Sequence, residues 1–246
     1  MRIEKMDIRK TSEVSLTTYL LDNSTQFANI TDRPAVLILP GGGYYHTSDR
    51  EAEPIAMAYL AEGFHAFVLR YSVGEASSFE TAFNDGEKAL KWLKDYAAQW
   101  GVNKDKIAVA GFSAGGHLAA ALGTMGTIRP NALILGYPCI LSGISLAFSI
   151  PSVDNEVDDQ TPPTFLFTSF EDARVPVKHS LRFMEALHQN NIPFESHIFQ
   201  SGRHGLSLAK PLTSSGMKQL IDSDFSKWFD LTVSWLHRLF GEFPAE

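Results

Sequence analysis

Six short apolar or β-branched runs recur along the chain, most of them followed by a helical pattern or a loop. They are 35-AVLILP, 65-HAFVLRY, 107-IAVAGF, 132-ALILGYP, 164-TFLFTS and 196-SHIF. Continuous apolar runs, unlike alternating ones, are typical of strands that are covered on both faces. The sequence therefore predicts an α/β fold in which a mostly parallel central sheet carries helices on both faces.

The segments between these runs carry apolar residues at helical spacing. Such patterns occupy Ala82 to Trp100, Leu181 to Leu187 and Phe225 to Phe240, and Gly241 is expected to stop the last helix. No repeat, low-complexity tract or linker interrupts the chain. We therefore expect one domain over residues 1–246, with 142–163 as the single notable insertion.

Composition excludes several function classes. The net charge is -7, from 21 basic and 28 acidic residues, and no basic cluster marks a nucleic-acid surface. Cys139 is the single cysteine, so neither an intrachain disulfide nor a cysteine-based metal cluster is expected. The first ten residues lack the apolar stretch of a secretory signal, which predicts a cytoplasmic protein.

One long segment without charged side chains resembles a membrane span. It runs from Pro130 to Val153, a length sufficient to cross a bilayer. Two glycines and two prolines interrupt it, namely Gly136, Pro138, Gly143 and Pro151. We therefore predict a buried strand followed by an apolar loop, and no membrane span.

The run 107-IAVAGF leads into Gly111-Phe112-Ser113-Ala114-Gly115 and then into a stretch of small residues. This order fits the G-x-S-x-G elbow, a tight strand-to-helix turn that exposes a nucleophilic serine at the carboxyl edge of a sheet. Glycines on either side remove side chains that would collide with the turn. The alternative is a glycine-rich turn whose serine caps a helix.

Acyl transfer by Ser113 requires backbone N–H donors for the oxyanion. Ala114 is expected to supply one, and the glycine-rich loop in 37-LILPGGGYYH-46 the other. As an alternative, three glycines after a strand are able to cradle a phosphate. Neither a following G-K-[ST] nor a spaced G-x-G-x-x-G supports that alternative.

Eight histidines are available as a general base. His204 lies in 200-QSGRHGLSL, a glycine-flanked turn directly after the last predicted strand, and is the candidate. His46 lies near the glycines and is interpreted as a substrate contact or a structural residue. The others lie in predicted helices or strands and are interpreted as surface or packing residues: His65, His117, His179, His188, His197 and His237.

The orienting acid is expected between serine and histidine in the chain. Asp172 follows the strand 164-TFLFTS and is the candidate, although spacing alone does not exclude Glu171. A further acidic cluster also qualifies by order, but such a charge run is typical of a solvated surface; it comprises Asp154, Glu156, Asp158 and Asp159.

Together these motifs resemble a known family. They are LPGGGY at 39–44, GFSAGGHLAA at 111–120, TPPTFLF at 161–167, DARVP at 172–176 and GRHG at 202–205. This set resembles bacterial α/β-hydrolase esterases, often labelled acetyl esterase, acetylxylan esterase or endoxylanase-like, from about residue 34 onward. The resemblance implies an α/β-hydrolase fold with a minimal cap. The family places its aspartate four residues before the proline of V-P, which favours Asp172.

Two departures from the family pattern bear on the site. Many lipase-like relatives have a histidine before the glycines, whereas this chain has Pro40, so the amides of Gly42 and Gly43 are our candidates for the oxyanion hole. Relatives often carry a histidine or a tryptophan near Thr168, so substrate selection is expected to differ. The resemblance implies small acyl esters as substrates, including acetylated sugars.

The sequence therefore predicts a serine hydrolase that works through an acyl-enzyme and needs no metal or organic cofactor. Tyr44, Tyr45 and His46 are expected on one side of the substrate pocket. Tyr137 and Phe148 are expected on the other side, where the insertion forms a small lid or a pocket wall. The predicted partner is a small-molecule ester, and assembly into a homo-oligomer stays open.

Three other functions share parts of this pattern. A serine peptidase of the prolyl-oligopeptidase type has the same three residue types, a lipase would have a longer amphipathic cap, and a binding protein can retain a hydrolase scaffold. A β-xylanase would need a pair of carboxylates across a sugar cleft. The sequence identifies no such pair.

Overall fold

The computed structural model describes residues 1–9 and 13–244, so residues 10–12 and 245–246 of the predicted domain lie outside the described residues. Within them, one eight-stranded sheet has the order β1-β2-β4-β3-β5-β6-β7-β8. The strands are β1 Arg2–Asp7, β2 Ser15–Leu20, β3 Arg33–Leu39, β4 His65–Arg70, β5 Val102–Phe112, β6 Ala132–Gly136, β7 Thr164–Ser169 and β8 Phe194–Phe199. The helices are α1 Glu53–Ala61, α2 Phe79–Asp95, α3 Ala97–Trp100, α4 Ala114–Thr124, α5 Lys178–Gln189 and α6 Trp228–Phe240.

The prediction of a mostly parallel sheet is confirmed. Strands β4, β3, β5, β6, β7 and β8 pair in parallel, and every predicted apolar run contributes to one of them. The structure adds β1 and β2, which pair antiparallel at one edge. β1 was not predicted because it is largely exposed and reads as a polar segment, RIEKMD. β2 is largely buried, but its sequence, SLTTYL, contains a serine and two threonines and forms no continuous apolar run.

Alternating residues of the central strands enter two separate cores. Leu37 of β3 and Val109 of β5 face the core that also contains side chains of α2, α4 and α5. Their neighbours Val36 and Ala108 face the opposite core, which α1 and α6 cover. This two-sided burial explains why the strands are continuous apolar runs, and it confirms the prediction of helices on both faces.

The helix predictions were correct in place and partly wrong in bounds. The segment predicted from Ala82 to Trp100 begins earlier, because Ser78 caps α2 by accepting a hydrogen bond from the Thr81 amide. It is also divided into α2 and α3. Gly241, with φ of 85°, follows the end of α6 as predicted.

The topology gathers four loops at one edge of the sheet. The glycine-rich loop follows β3, Ser113 follows β5, Asp172 follows β7 and His204 follows β8. Because these strands are parallel, their carboxyl ends lie side by side, where α/β proteins bind ligands. The uncharged segment from Pro130 forms β6 and then a loop, as predicted. None of the helices in the described residues has the length and apolar character needed to traverse a bilayer.

Candidate active site

Ser113 lies in a strained turn between β5 and α4. Its backbone has φ of 54° and ψ of -116°, a conformation that non-glycine residues rarely adopt. A Cβ on Gly115 would lie 2.1 Å from the Leu39 carbonyl oxygen, and one on Gly111 would lie 2.2 Å from the Gly115 carbonyl oxygen. Both positions therefore require glycine, which is the steric reason for the motif.

The three side chains singled out in the sequence form a continuous hydrogen-bonded chain. Ser113 Oγ lies 2.7 Å from His204 Nε2, and His204 Nδ1 lies 2.6 Å from Asp172 Oδ2. An ionised carboxylate only accepts hydrogen bonds, so a neutral His204 carries its proton on Nδ1 and presents the Nε2 lone pair to the serine hydroxyl. This arrangement is able to withdraw the serine proton.

Asp172, rather than Glu171, contacts the histidine. Asp172 is buried, and its second oxygen, Oδ1, accepts hydrogen bonds of 2.9 Å from the amides of Arg174 and Val175. These bonds fix the carboxylate, leaving Oδ2 for His204. Glu171 is exposed and has no hydrogen bond to the imidazole.

The acidic cluster at 154–159 lies elsewhere. Asp154 is 3.6 Å from Arg182 on α5, and Asp158 is bonded to Arg129. The ion pair lowers the pKa of Asp158 to about 2. Neither carboxylate contacts His204, so the structure does not bring these residues to the site.

Backbone donors are available on two sides of Ser113. Gly42 and Gly43 line the same cleft as Ser113, and Ala114 begins α4 directly after it. Among residues 1–9 and 13–244, the amides of these three residues have no hydrogen-bond acceptor. Free amides at a loop and at a helix N-terminus are suited to a negatively charged oxygen.

The glycine-rich loop is held by a buried carboxylate. Glu51 Oε2 accepts a hydrogen bond of 2.8 Å from the Gly41 amide, which removes that amide from the set of free donors. Glu51 Oε1 accepts a hydrogen bond of 2.5 Å from the Tyr137 hydroxyl. Glu51 was not predicted, because nothing in the sequence separates it from an ordinary surface acid after the loop.

The same network reaches the loop that carries the histidine. The Tyr137 hydroxyl accepts a hydrogen bond from the Ser207 amide, and the Ser207 hydroxyl donates to the Arg50 carbonyl. The Arg50 guanidinium donates to the Gly205 carbonyl at 2.6 Å. Burial and the Glu51 carboxylate raise the pKa of the Tyr137 phenol, which keeps it a donor to Glu51. Arg50 and Glu51 thus join the glycine-rich loop to the His204 loop.

Three residues predicted to contact substrate do not line the cleft, and this part of the prediction is corrected. Tyr44 is fully buried, and its hydroxyl is 2.9 Å from His117 Nδ1, because its ring anchors the glycine-rich loop on α4. Phe148 packs on Tyr44 with ring centroids 4.6 Å apart. Tyr137 lies behind His204, with ring centroids 5.1 Å apart. Tyr45 and His46 do line the cleft.

Ser113 lies at the junction of two chambers. The larger chamber, of about 730 Å³, is lined mainly by polar residues, among them His46, Glu171, Arg174, Arg203 and Gln219. The smaller chamber, of about 420 Å³, is lined by Cys139, Ile144, Leu146 and Val175 among others. Gly43, Tyr45 and Arg174 border both chambers. The site therefore offers two compartments on either side of one hydroxyl, and aliphatic side chains form a larger share of the residues that line the smaller one.

Cys139 is a wall of the smaller chamber. Its Sγ lies 3.8 Å from Ser113 Oγ, and burial raises the pKa of the thiol to about 12. A thiol with so high a pKa stays protonated at neutral pH and is a poor nucleophile. Ser113 is therefore the nucleophile that this geometry favours.

Two buried histidines hold the loop that walls the smaller chamber. His117 Nε2 donates to the Pro151 carbonyl at 3.0 Å, and His179 Nδ1 accepts hydrogen bonds from the amides of Ile140 and Leu141. Burial lowers the pKa of His117 to about 4 and also lowers that of His179. The sequence placed both on helices but gave no signal that they bind this loop.

The buried histidines predict a loss of stability in acid. A folded-state pKa below the ordinary 6.5 means that the unfolded chain binds the proton first, so stability is complete above about pH 6.5 and falls as the pH approaches 4. We expect His117 to contribute about 1.4 kcal/mol per pH unit across this window. The free energy of unfolding, measured by denaturant titration between pH 6.5 and 4.5, should therefore fall less steeply with decreasing pH in His117→Gln than in the wild type. The difference in slope should correspond to about one proton.

The exposed His188 supplies the control for that measurement. His188→Gln should retain the wild-type slope. An unchanged slope in His117→Gln would show that His117 is already protonated in the folded protein, contrary to the lowered pKa that its burial imposes.

Two family models match successive parts of the chain. The family described as BD-FAE matches residues 21–131, which include the glycine-rich loop and Ser113. The Prolyl oligopeptidase family matches residues 146–230, which include Asp172 and His204. The two matched ranges thus divide the residues of the site between them.

Curated relatives carry esterase and xylanase names. Endo-1,4-beta-xylanase B of Butyrivibrio fibrisolvens is 31% identical over 216 residues, which are 75% of this chain and 34% of that protein. Acetylxylan esterase of Xylanibacter ruminicola is 27% identical over 195 residues, which are 70% of this chain and 40% of that protein. The chain therefore matches only about a third to two-fifths of the length of these relatives.

A solved structure matches over nearly the full length of both chains. It is the crystal structure of MGS-M1, an alpha/beta hydrolase enzyme from a Medee basin deep-sea metagenome library. The two chains share 49% identity with a TM-score of 0.94, and the match covers 98% of this chain and 99% of that chain. With this identity over nearly every residue, the chain belongs to the α/β-hydrolase family.

Proposed function

We propose that this protein hydrolyses short-chain carboxylic esters, with Ser113 as nucleophile, His204 as general base and Asp172 as its orienting acid. The observation that carries the proposal is the continuous contact of 2.7 Å and 2.6 Å from the Ser113 hydroxyl through the imidazole to the carboxylate. The relative named acetylxylan esterase supports an ester as the substrate class.

The reaction proceeds in two steps. His204 Nε2 takes the Ser113 proton while Oγ attacks the ester carbonyl carbon, and the negative oxygen accepts hydrogen bonds from Ala114 and from Gly42 or Gly43. The C–O bond to the alcohol then breaks, and the leaving oxygen receives the proton from His204. Water, deprotonated by His204, attacks the acyl-Ser113 carbonyl, and the carboxylic acid leaves with Ser113 restored.

The smaller chamber is proposed to hold the acyl group. Its apolar lining by Ile144, Leu146 and Val175 suits a short hydrocarbon, and Ser113 is at its mouth. In this proposal the segment 142–163 acts as a fixed pocket wall within a single 1–246 domain. The Ala147 amide donates a hydrogen bond of 3.0 Å to the Gly43 carbonyl, which ties this wall to the glycine-rich loop.

Enlarging the smaller chamber should change the preferred acyl length. In Leu146→Ala the ratio of kcat/KM for p-nitrophenyl hexanoate to that for the acetate should rise roughly tenfold, because each added methylene gains contact only where space exists. Leu212→Ala is the matched control, since Leu212 is 80% exposed and outside both chambers. An unchanged ratio in Leu146→Ala would assign the acyl group to the other chamber.

The larger, polar chamber is proposed to hold the alcohol half, and acetylated sugars fit this role. Hydroxyl-rich alcohols require polar contacts, which side chains such as His46 and Gln219 are able to supply there. The name of the acetylxylan esterase relative supports the same substrate class.

Hydrolysis of p-nitrophenyl acetate, butyrate and decanoate by the wild type and by Ser113→Ala tests the proposal, with acetate release from acetylated xylo-oligosaccharides measured alongside. We expect turnover of the short esters and of the sugar esters, and its loss in Ser113→Ala. Turnover of peptides in place of esters would favour the prolyl-oligopeptidase type. Decanoate as the best substrate would overturn the short-chain proposal.

Xylanase activity is not proposed, despite the name of one relative. Glycoside hydrolysis needs two carboxyl groups that flank the scissile bond. Within the described residues, Glu51 and Glu171 are the two carboxylates that line the larger chamber. Both oxygens of Glu51 already accept hydrogen bonds, from Gly41 and Tyr137, so Glu51 is not free to act on a glycosidic bond.

A further inference from the structure

Two arginines line the larger chamber without a partner. Arg174 is two residues after Asp172, and Arg203 directly precedes His204; both are exposed. In the part of the chain that the structure describes, neither guanidinium takes part in a hydrogen bond or an ion pair. Two cations thus face the same space as Ser113.

Most other arginines are bound to the protein. Only Arg2, on the exposed edge strand β1, has no side-chain partner among those outside the cleft in the described residues. The rest form hydrogen bonds or ion pairs with carboxylates or backbone carbonyls: Arg9, Arg33, Arg50, Arg70, Arg129, Arg182 and Arg238. Arg174 and Arg203 are therefore unusual for this chain, in which most guanidinium groups are paired.

Arg174 lies close to the Ser113 hydroxyl. It borders both chambers, and its charge is felt by the Cys139 thiol, whose Sγ is 3.8 Å from Ser113 Oγ. Its backbone amide is fixed by Asp172 Oδ1 at 2.9 Å, so only the side chain is free to move. Arg203 borders only the larger chamber. Together they mark the alcohol side of the site, within reach of the ester.

The charge balance of the chamber defines the ligand further. Arg50 and Glu51 also line the chamber, both held by hydrogen bonds within the protein, and their opposite charges offset each other. Glu171 is then the one negative charge that faces Arg174 and Arg203. Glu171 is not within ion-pair distance of Arg174 or Arg203 in the described residues. A single negative charge on the ligand would neutralise the remaining cation, and the planar guanidinium group matches the two oxygens of a carboxylate.

From this arrangement we infer that the alcohol half of the natural ester carries a carboxylate, as in an acylated sugar acid, which Arg174 and Arg203 bind. The inference rests on the proposed function and specifies its substrate class. Hydrolysis then releases the short carboxylic acid and a free hydroxyl on the anionic alcohol. Steering by the two cations also predicts that turnover of such esters falls with rising salt.

The test compares two esters that differ in one group. Acetylated methyl glucuronoside carries a carboxylate where acetylated methyl glucoside carries a hydroxymethyl group. We expect the kcat/KM of the wild type to be at least tenfold higher for the glucuronoside than for the glucoside, because a charge-assisted contact is worth about that factor. The difference should lie in a lower KM. Arg174→Gln and Arg203→Gln should each lower this ratio roughly tenfold.

Arg182→Gln is the matched control, because Arg182 is a partly exposed arginine on α5 that is outside the larger chamber. It should keep the wild-type ratio. Equal kcat/KM values for the two sugars, unaffected by either cleft variant, would overturn the inference while leaving ester hydrolysis intact. Absence of Ser113-dependent turnover of any ester, including p-nitrophenyl acetate, would instead overturn the proposed function itself.

A third ester, which carries a phosphate, distinguishes a carboxylate from a phosphate as the anion that the two arginines bind. If an acetylated methyl glucoside 6-phosphate is preferred over the glucuronoside by tenfold or more, the carboxylate assignment is wrong. If the glucuronoside is preferred, the assignment holds and the single opposing charge of Glu171 accounts for it.

Discussion

Replacing Asp172 by asparagine is expected to lower kcat for short esters by about 10⁴-fold. The carboxylate accepts the Nδ1 proton of His204 at 2.6 Å, and it is held by the amides of Arg174 and Val175. Asparagine can keep those backbone bonds through its oxygen and would then present an NH₂ group to the ring. The ring would respond by protonating Nε2, which removes the lone pair that accepts the Ser113 proton.

The neighbouring acid supplies the matched control for that variant. Glu171→Gln changes the same functional group one residue away, but Glu171 is exposed and not bonded to His204. Its kcat should remain within about threefold of the wild type. Steady-state kinetics on p-nitrophenyl acetate, with folding checked by circular dichroism, measures both variants. A large loss in Glu171→Gln with little change in Asp172→Asn would reverse the assignment.

Replacing Glu51 by glutamine is expected to reduce both stability and turnover. Glu51 is buried and accepts hydrogen bonds from the Gly41 amide and the Tyr137 hydroxyl. Glutamine has one acceptor oxygen, so one of the two donors would face an NH₂ group. We expect a loss of about 2–3 kcal/mol in the free energy of unfolding, the usual cost of leaving a buried donor without its charged acceptor.

The effect on turnover follows from the two loops that this network joins. Displacing Gly41 or Tyr137 disturbs the neighbouring glycine amides and the Ser207 anchor of the His204 loop. We therefore expect kcat to fall by roughly 10-fold to 100-fold with KM less affected, because misplacement by about 1 Å is costly in a preorganised site. Glu51 is a positioning residue in this account.

Glu53→Gln is the control for the Glu51 variant. Glu53 lies two residues on, but its carboxylate pairs with Arg70 on the surface and is 43% exposed. Loss of this ion pair should lower the free energy of unfolding by less than about 1 kcal/mol and leave kcat unchanged. Denaturant unfolding and steady-state kinetics on both variants decide the matter. Equal stability of the two variants would show that the buried network contributes no more than a surface ion pair.

Much of the fold was predictable because strands buried on both faces leave a strong signal. The runs at 35 and 107 are continuously apolar, the run at 164 has an apolar centre, Phe165 to Phe167, and each precedes a loop of the site. The residue types and order of Ser113, Asp172 and His204 were also readable, and the structure brings their side chains into contact. Their catalytic roles rest on the proposed function.

Side-chain direction was not predictable in the same way. Tyr44 and Tyr45 are adjacent after the glycines, yet one is fully buried against His117 and the other lines the cleft. Tyr44 also has a positive φ, 62°, and no pattern in the sequence reports it. Glu51 was missed for a related reason, since its partners Gly41 and Tyr137 come from different loops.

The most direct test of the central claim is covalent labelling of the nucleophile. Incubation with a fluorophosphonate, followed by intact mass spectrometry and peptide mapping, should show one adduct on the wild type, located on Ser113. Ser113→Ala should show none, and Asp172→Asn should label far more slowly. A full-rate adduct on another residue, or no adduct on a folded wild-type protein, would contradict the account that Ser113 is activated by His204 and Asp172.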